Sequence, residues 1–560
     1  MVFLFLASGE EDSLVRRLMG EEEEMQQSNQ EPKPDMSKEA LELLEKVEKE
    51  WKQRKEEFKA KGATKEELKQ LLESIERELN ALKEGKETRE EVEKNIEALF
   101  SEMMFRLEDR SIAAKAQQLQ QTGKQEPSLE KAFEGIEEPQ PVPETPSAAQ
   151  PEIPEQQVVV EPKLSMPTRL DFDKGEELFE ESLKFLESLQ LENGGCLATN
   201  VQEKYPYIYP RDHAFCTLAF VAGERYTNAK KALEFALKGQ NVRDGSFPQR
   251  WDQLGKDASY KPVQIDATAL MLYALAKYVQ STSDVGFAEN NWEKLAKAVD
   301  FINSRIVASK NLVSTPSSIH EFPPLEHGYE LWTNSACCAA LTELSKVADI
   351  IKVRYEPLDA DNIIKEGILS YLWNSRLKTF IKNIRVKESN SVVLHPDASL
   401  AAVSYFDVFP ASNDRVKSTI SYIESNLWHK KLGGICRVPK EHSFAVGGWG
   451  PWPFFTLLLA EHYTKLGDKE RASFYLSWVV NIAYNNQLPE HVSDKEEFEH
   501  SEADFKDAGL LRKDTMTRLE NAKKHPAYMQ KGVAYITVPF GMPHAEFVVA
   551  WQNFKQRFGF

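Results

Sequence analysis

Cysteine is scarce in this sequence. There are five in 560 residues, Cys196, Cys216, Cys337, Cys338 and Cys436, an odd number with one adjacent pair. No CxxC or His/Cys spacing of a zinc site occurs, so a disulfide-built or zinc-built fold is excluded, and reduced thiols in a reducing cytosol are expected. Positive charge is also in deficit, with 70 Lys and Arg against 88 Asp and Glu and a net charge of -18. Such a balance repels phosphate backbones and anionic lipid, which argues against nucleic acid and membrane as partners. No apolar run approaches the roughly 18 residues of a membrane span. Met1 to Ala7 is apolar but lacks the basic flank and length of a signal peptide. A cytoplasmic location is the resulting expectation. Gly-rich phosphate loops, a Ser/His/Asp order and HExxH are missing, so no cofactor or metal is expected. Tryptophan is unevenly spread: of ten, Trp51 is the only one before Trp251.

What is present changes along the chain. Residues 1–35 are rich in Glu, Gln and Ser and read as a disordered acidic N-terminus. Residues 36–121 carry three amphipathic stripes. The first is Leu41, Leu44, Val47, Trp51 and Phe58; the second Leu68, Leu72, Ile75, Leu79 and Leu82; the third Val92, Ile96, Leu99, Met103 and Leu107. Capping boxes, Thr64 with Glu67 and Thr88 with Glu91, start the second and third, and Gly62 and Gly85 sit in the breaks. This is a helical, coiled-coil-like arm, either a self-association or docking element or a solvated appendage. Residues 122–168, with Pro139, Pro141, Pro143, Pro146, Pro151 and Pro154 among others, form an extended linker.

From 169 to 560 the periodicity predicts roughly twelve helices. They are centred on 174–190, 212–223, 227–239, 265–281, 289–305, 329–348, 360–373, 397–406, 413–427, 451–466, 468–485 and 543–557. Val392–Leu394 and Ala534–Val538 are the strand-like runs. Many helices in sequence with short links argue for an all-α solenoid or a closed ring of helix pairs, and an even number permits closure as six pairs. Every second helix follows a loop dense in Trp, Tyr, Arg, Asp, Glu and Gly, so these loops would open at one end of the ring as a funnel. Each loop could equally do no more than cap its helix, and Asp212, Thr333 and Asp397 are plausible N-caps.

The loop Tyr205-Pro206-Tyr207-Ile208-Tyr209-Pro210-Arg211-Asp212 alternates aromatic rings with other residues, which puts three tyrosines on one side of an extended segment. Rings stack on a sugar, and Arg211 and Asp212 offer donors and acceptors for its hydroxyls. Two carboxylates stand out elsewhere. Glu490 follows Pro489, which stiffens its backbone. Glu321 lies among apolar neighbours that could raise its pKa. One raised and one ordinary carboxyl form the acid/base pair of glycoside hydrolysis.

These motifs, in this order, resemble the glycoside hydrolase family 15 catalytic domain, the glucoamylase family, over about 169–560. Tyr205-x-Tyr207-x-Tyr209-x-Arg211-Asp212 is similar to the family's Tyr-x-Tyr-x-Trp-x-Arg-Asp. Leu488-Pro489-Glu490 is similar to its Leu-Pro-Glu, and Gly433–Pro439 with Gly450-Pro451-Trp452 to its Arg/Trp segment. Pro539–Glu546 is similar to its Pro-Leu-x-Trp-Ser-His-Ala-Glu. The resemblance implies an (α/α)6 barrel and an inverting, exo-acting glucosidase on α-glucan or oligosaccharide substrates. It implies Glu321 as general acid, Glu490 as general base, and Tyr207, Tyr209, Arg211, Asp212, Arg437 and Trp452 as sugar contacts. The family's Trp before the acid is His320 here, so Glu326 and Glu330 stay open as alternatives. Trehalose- or dextran-type specificity, and a non-hydrolytic regulatory module on the same fold, also stay open. Between base and C-terminal motif lies an insertion, Ser493 to Thr537, with a helical middle around Ala508–Asn521 that would serve as a lid or a surface excursion.

Overall fold

The computed structural model describes residues 38–83, single positions between 88 and 107, and 169–560 except 201–204, 260, 322–325, 387–391, 447–448 and 508–512. The N-terminus 1–35, the linker 122–168, Gly85 and Glu91 lie outside the described residues. What is described falls into two compact units, one within Met1–Lys115 and one within Ala116–Phe560.

In the first unit, helix α1 spans Lys38–Ala60 and α2 spans Lys65–Lys83. The Thr64 capping box is formed: the Thr64 N–H donates to Glu67 Oε2 at 2.8 Å, and the Glu67 N–H to Thr64 Oγ1 at 3.2 Å. The three stripes close on one another. Leu44, Val47, Trp51 and Phe58 of α1, Leu72 and Ile75 of α2, and Val92, Ile96, Met103 and Leu107 of the third stripe share one buried cluster, which Phe100 joins while its neighbour Leu99 is only partly buried. Trp51 stacks on Phe100 with ring centroids 6.4 Å apart.

The second unit alternates outer and inner helices. In chain order they are α3 (Phe172–Leu189), α4 (Pro210–Ala222), α5 (Tyr226–Lys238), α6 (Ile265–Thr282), α7 (Val285–Asn303), α8 (Leu331–Ile350), α9 (Ala360–Tyr371), α10 (Ala402–Tyr405, continuing a 3-10 turn Ala398–Ala401), α11 (Asp414–Leu427), α12 (Pro453–Leu466) and α13 (Lys469–Ile482). After the insertion helices α14 (Lys495–Asp507), α15 (Lys513–Lys524) and α16 (Pro526–Lys531) comes α17 (Gly541–Phe558). The inner wall is a closed circuit in which α4 packs on α6, α6 on α8, α8 on α10, α10 on α12, α12 on α17, and α17 on α4. This is the (α/α)6 barrel. Burial follows from sequence: α4 is buried at every residue from Pro210 to Val221 and α12 from Pro453 to Thr464, as apolar-all-round helices must be. The outer helices keep a polar face, and Asp171, Asp284 and Asp468 cap α3, α7 and α13.

Small sheets brace the loop end. Strands β1 (Gly328–Glu330), β2 (Asn383–Arg385) and β3 (Val392–Val393) pair antiparallel in that order. Strands β4 (His491–Asp494) and β5 (Val533–Ile536) pair antiparallel with His491 opposite Ile536 and Asp494 opposite Val533. The insertion hangs from this second ladder, with a small core of Phe498, Leu519, Ala522, Tyr528, Ala534 and Ile536. Its predicted helical middle is observed from Lys513 onward, while 508–512 lie outside the described residues. Among the described residues no helix is long and apolar enough to cross a membrane.

Candidate active site

Proline starts the first site helix. Tyr209 precedes Pro210 at the N-terminus of α4 and makes no side-chain cap. Asp212 is therefore not the N-cap the sequence allowed; it stands in the first turn, buried and turned to other use. Thr333 is not a cap either, because Glu330 caps α8 by accepting the Thr333 N–H at 2.8 Å. Asp397 does cap its turn, accepting the Ser399 N–H at 2.8 Å. Upstream, Ile208 exchanges both backbone hydrogen bonds with Trp251 at 2.8 and 2.9 Å, which keeps the tyrosine segment extended. Tyr205 and Tyr209 meet edge to face at 6.0 Å, and the Arg250 guanidinium lies 3.6 Å over the Tyr207 ring.

Arg211 reaches across the barrel mouth. Its Nη2 lies 2.5 Å from Glu321 Oε1, and its Nη1 donates to Gln264 Oε1 at 3.2 Å. Gln249 donates to Glu321 Oε2 at 3.1 Å, and Lys261 Nζ is bonded to the Glu321 carbonyl at 2.8 Å and lies 3.4 Å from Oε2. Burial pushes the Glu321 carboxyl up, but Lys261 and Arg211 outweigh it and hold the group at about 2. The raised pKa expected from its apolar neighbours is thus reversed. Its backbone φ is +55°, a strained value for a residue other than glycine.

The alternatives to Glu321 face inward. Glu326 is fully buried and accepts the Ser318 N–H at 2.9 Å and the His320 N–H at 2.6 Å. Glu330 is fully buried between the Thr333 N–H and the Ser318 hydroxyl, each at 2.8 Å. Both brace the loop that carries Glu321. Behind them, His320 Nε2 lies 2.8 Å from Asp397 Oδ2 and Lys382 Nζ 3.0 Å from the same oxygen. Burial holds His320 well below its usual range, so the ring is neutral and donates from Nε2.

Glu490 comes from a different loop, the one after α13. Its N–H points at the Ile536 and Thr537 carbonyls at 3.0 and 2.9 Å, and its Oε2 accepts the Thr537 hydroxyl at 2.7 Å. Two residues earlier the Leu488 N–H donates to His544 Nε2 at 2.9 Å, while His544 Nδ1 lies 2.8 Å from Ser182 Oγ. Burial pushes His544 down to about 3, so a neutral ring accepts from Leu488 and donates to Ser182. Asp212 links the two loops. Burial raises its carboxyl to about 6; Arg211 pulls it down, and the charges of both Glu321 and Glu490 push it up.

Arg437 is buried, donates to the Ile319 carbonyl at 2.7 Å, and lies 4.9 Å over Trp452. Burial lowers it to about 10. Trp452 is 2% exposed and stacks on His491 at 4.8 Å, so it supports Arg437 and the Glu490 strand and presents little open ring face. The loops are stitched together: Cys436 bridges Pro451, and the Val492 N–H donates to the Pro451 carbonyl at 3.0 Å. A Cβ on Gly450, at φ +140°, would fall 1.8 Å from the Val492 carbonyl, so only glycine allows that approach. Among the described residues no group of three His, Cys, Asp or Glu is placed to hold a metal ion. Lys261 and Thr537 were not singled out from sequence; one is a single lysine within the loop before α6 and the other lies at the far end of the insertion.

Comparisons with known proteins agree with this fold. No protein-family model matches the chain. It is 25% identical over 318 residues to an uncharacterized glycosyl hydrolase of Methanocaldococcus jannaschii, covering 54% of this chain and 49% of that protein. It is 24% identical over 304 residues to trehalase 1 of Sulfolobus acidocaldarius, covering 49% of each. The chain thus spans about half the length of these curated relatives. Among solved structures, a wild-type glycosidase superposes with a TM-score of 0.53 at 16% identity, over 69% of this chain and 98% of that one. A glycosidase variant solved in complex with glucose gives 0.52 at 16% over the same shares. At that identity the likeness concerns the fold.

Proposed function

We propose that this protein is a glycoside hydrolase that releases glucose from the non-reducing end of an α-glucan or oligosaccharide with inversion. The observation that supports this most is that Glu321 and Glu490, arriving from different loops, both act on Asp212. The names of the curated relatives and the fold shared with solved glycosidases add support. In this reading Arg211 and Asp212 hold the terminal sugar against Tyr207, Tyr209, Arg437 and Trp452. Glu321 protonates the leaving oxygen, Glu490 takes a proton from water attacking the opposite face, and β-glucose leaves. Room for that water requires carboxyls about 6.5–9.5 Å apart. Trehalose falls within the same chemistry.

The test is a panel of maltose, maltotriose, isomaltose and trehalose, with the product anomer read by NMR. β-Glucose is expected first. Glu490→Gln and Glu321→Gln should each lower kcat by about 10²–10⁴-fold. From maltotriose, α-glucose as first product, or full activity in Glu490→Gln, would overturn the reading; trehalose, whose leaving unit is itself α-glucose, should give both anomers equally. One observation favours a non-hydrolytic sugar-binding module instead: a carboxyl held at about 2 carries no proton to donate at neutral pH. Sugar binding by the wild type without any glucose release would decide for that module.

A further inference from the structure

Asp266 is a carboxyl without a partner at the centre of this site. It stands in the first turn of α6, fully buried, and neither of its oxygens has a hydrogen-bond partner. A bare buried carboxylate is costly, so such a group stays protonated until a cation arrives. Burial pushes Asp266 up to about 7, against the pull of Arg211. The charged and titratable groups around it are Arg211 on α4, Glu321, Glu326 and Glu330 before α8, and the Cys337 thiol on α8. Arg211 is the cation among them, and it already touches this turn of α6: Gln264, its partner at 3.2 Å, is the N-cap two residues before Asp266. One guanidinium therefore serves three carboxyls, Glu321, Asp212 and Asp266, and grips only Glu321, whose backbone is strained.

Resting on the glycosidase reading, we propose that Asp266 is the second seat of the Arg211 guanidinium. Sugar binding moves Arg211 from Glu321 to Asp266, and Glu321 then takes up the proton it delivers to the leaving oxygen. The exchange balances. Asp266 loses one O–H bond as the cation arrives, Glu321 gains one as the cation leaves, and net charge is unchanged. Lys261 stays on the Glu321 carbonyl at 2.8 Å and keeps the loop in place, while its longer 3.4 Å contact with Oε2 has to open for Glu321 to hold the proton. Asp266 is thus a positioning residue that acts through Arg211.

The deciding measurement is a crystal structure of the full chain with glucose, joined to pH–rate profiles of Asp266→Asn and Asp266→Glu. With glucose bound, an Arg211 nitrogen should lie about 3 Å from an Asp266 oxygen and have left Glu321. Asp266→Asn should lower kcat by about 10²-fold and move the alkaline limb of the kcat profile, which reports the sugar-bound enzyme, toward acid by about one pH unit or more, because Glu321 keeps Arg211. Asp266→Glu should recover part of both, whereas a merely structural role would lower the rate without moving the limb. Arg211 still on Glu321 beside bound sugar, or an unmoved limb in Asp266→Asn, overturns the proposal. If Arg211 moves but no glucoside is cleaved, the switch stands and the glycosidase reading falls. If cleavage proceeds with Arg211 fixed on Glu321, the reading stands and the switch falls. A protein that takes up no glucose overturns both. Should Asp266→Asn fail to fold, the glucose-bound wild type still decides.

Discussion

Three carboxyls around Arg211 pull the pH dependence of stability in opposite directions. Asp266, at about 7, and Asp212, at about 6, sit above the unfolded value of about 3.9, so the folded state binds the extra protons. Their contribution is full below about pH 4 and is lost as pH rises through 6 and 7. Glu321, at about 2, has the opposite sign: its contribution is present above its unfolded value of about 4.3 and is lost as pH falls toward 2. Asp266→Asn should therefore flatten the fall in Tm between pH 4 and 7 and leave the loss below pH 4 in place. Calorimetric melts across that range check this, and a slope equal to that of the wild type would refute it. The direction at Glu321 was not legible in the sequence. Apolar Ile319, Phe322 and Pro323 lie beside it in sequence, but the field that decides its charge comes from Lys261 and Arg211, 60 and 110 positions away. The Arg211-Asp212 pair and Glu490 could be singled out because proline and aromatic residues mark their loops locally.

Helices and their ends set how firmly Glu490, the proposed base, is held. His544, in the first turns of α17, is the acceptor for the buried Leu488 N–H two residues before Glu490. His544→Phe keeps a ring in that space and removes the acceptor, at a cost of about 1–3 kcal/mol for the orphaned N–H. A lower Tm together with a lower kcat is expected, and unchanged kcat at reduced Tm would remove His544 from the positioning of Glu490. On the other side of the strand pair, Glu497 of α14 accepts from His429 Nε2 at 2.8 Å and from the Trp449 indole at 3.2 Å. Glu497→Ala should detach the insertion from the loop that carries Arg437 and Trp452. The expected result is a several-fold higher KM for maltotriose and faster proteolysis within 495–531; equal KM and equal cleavage would show that the insertion does not steady that loop. The helices themselves were readable in the sequence, because inner ones are apolar on every side and outer ones keep the 3.6-residue stripe. Caps were read less well. Asp212 and Thr333 have capping chemistry, yet the turn geometry gave the position before α4 to Tyr209 and the cap of α8 to Glu330.

At the scale of the whole chain, the six-pair ring could be counted in the sequence because its connections are local, each helix followed by its neighbour in space. The arm was harder to read, since three apolar stripes serve equally for pairing between chains or for packing within one. In the described residues those stripes share one buried cluster, so the apolar seam that self-association would use is covered. Deleting residues 1–165 should accordingly leave the mass per particle at one chain and glucose release per active site unchanged within about twofold. Light scattering and the same glucoside panel check this, and a full-length dimer that becomes a monomer on deletion would return the arm to an assembly role. The β4–β5 ladder carries a last consequence, for grafting. Asp494 and Val533 face each other across two strands, with Glu490 at one end of the ladder and the whole of α14 to α16 at the other. That makes the pair a splice point. A two-residue Asn-Gly hairpin could replace 495–532 without altering the register that holds the base. Cargo of other lengths could be mounted there to reshape the funnel mouth while the two carboxyls proposed to react keep their places.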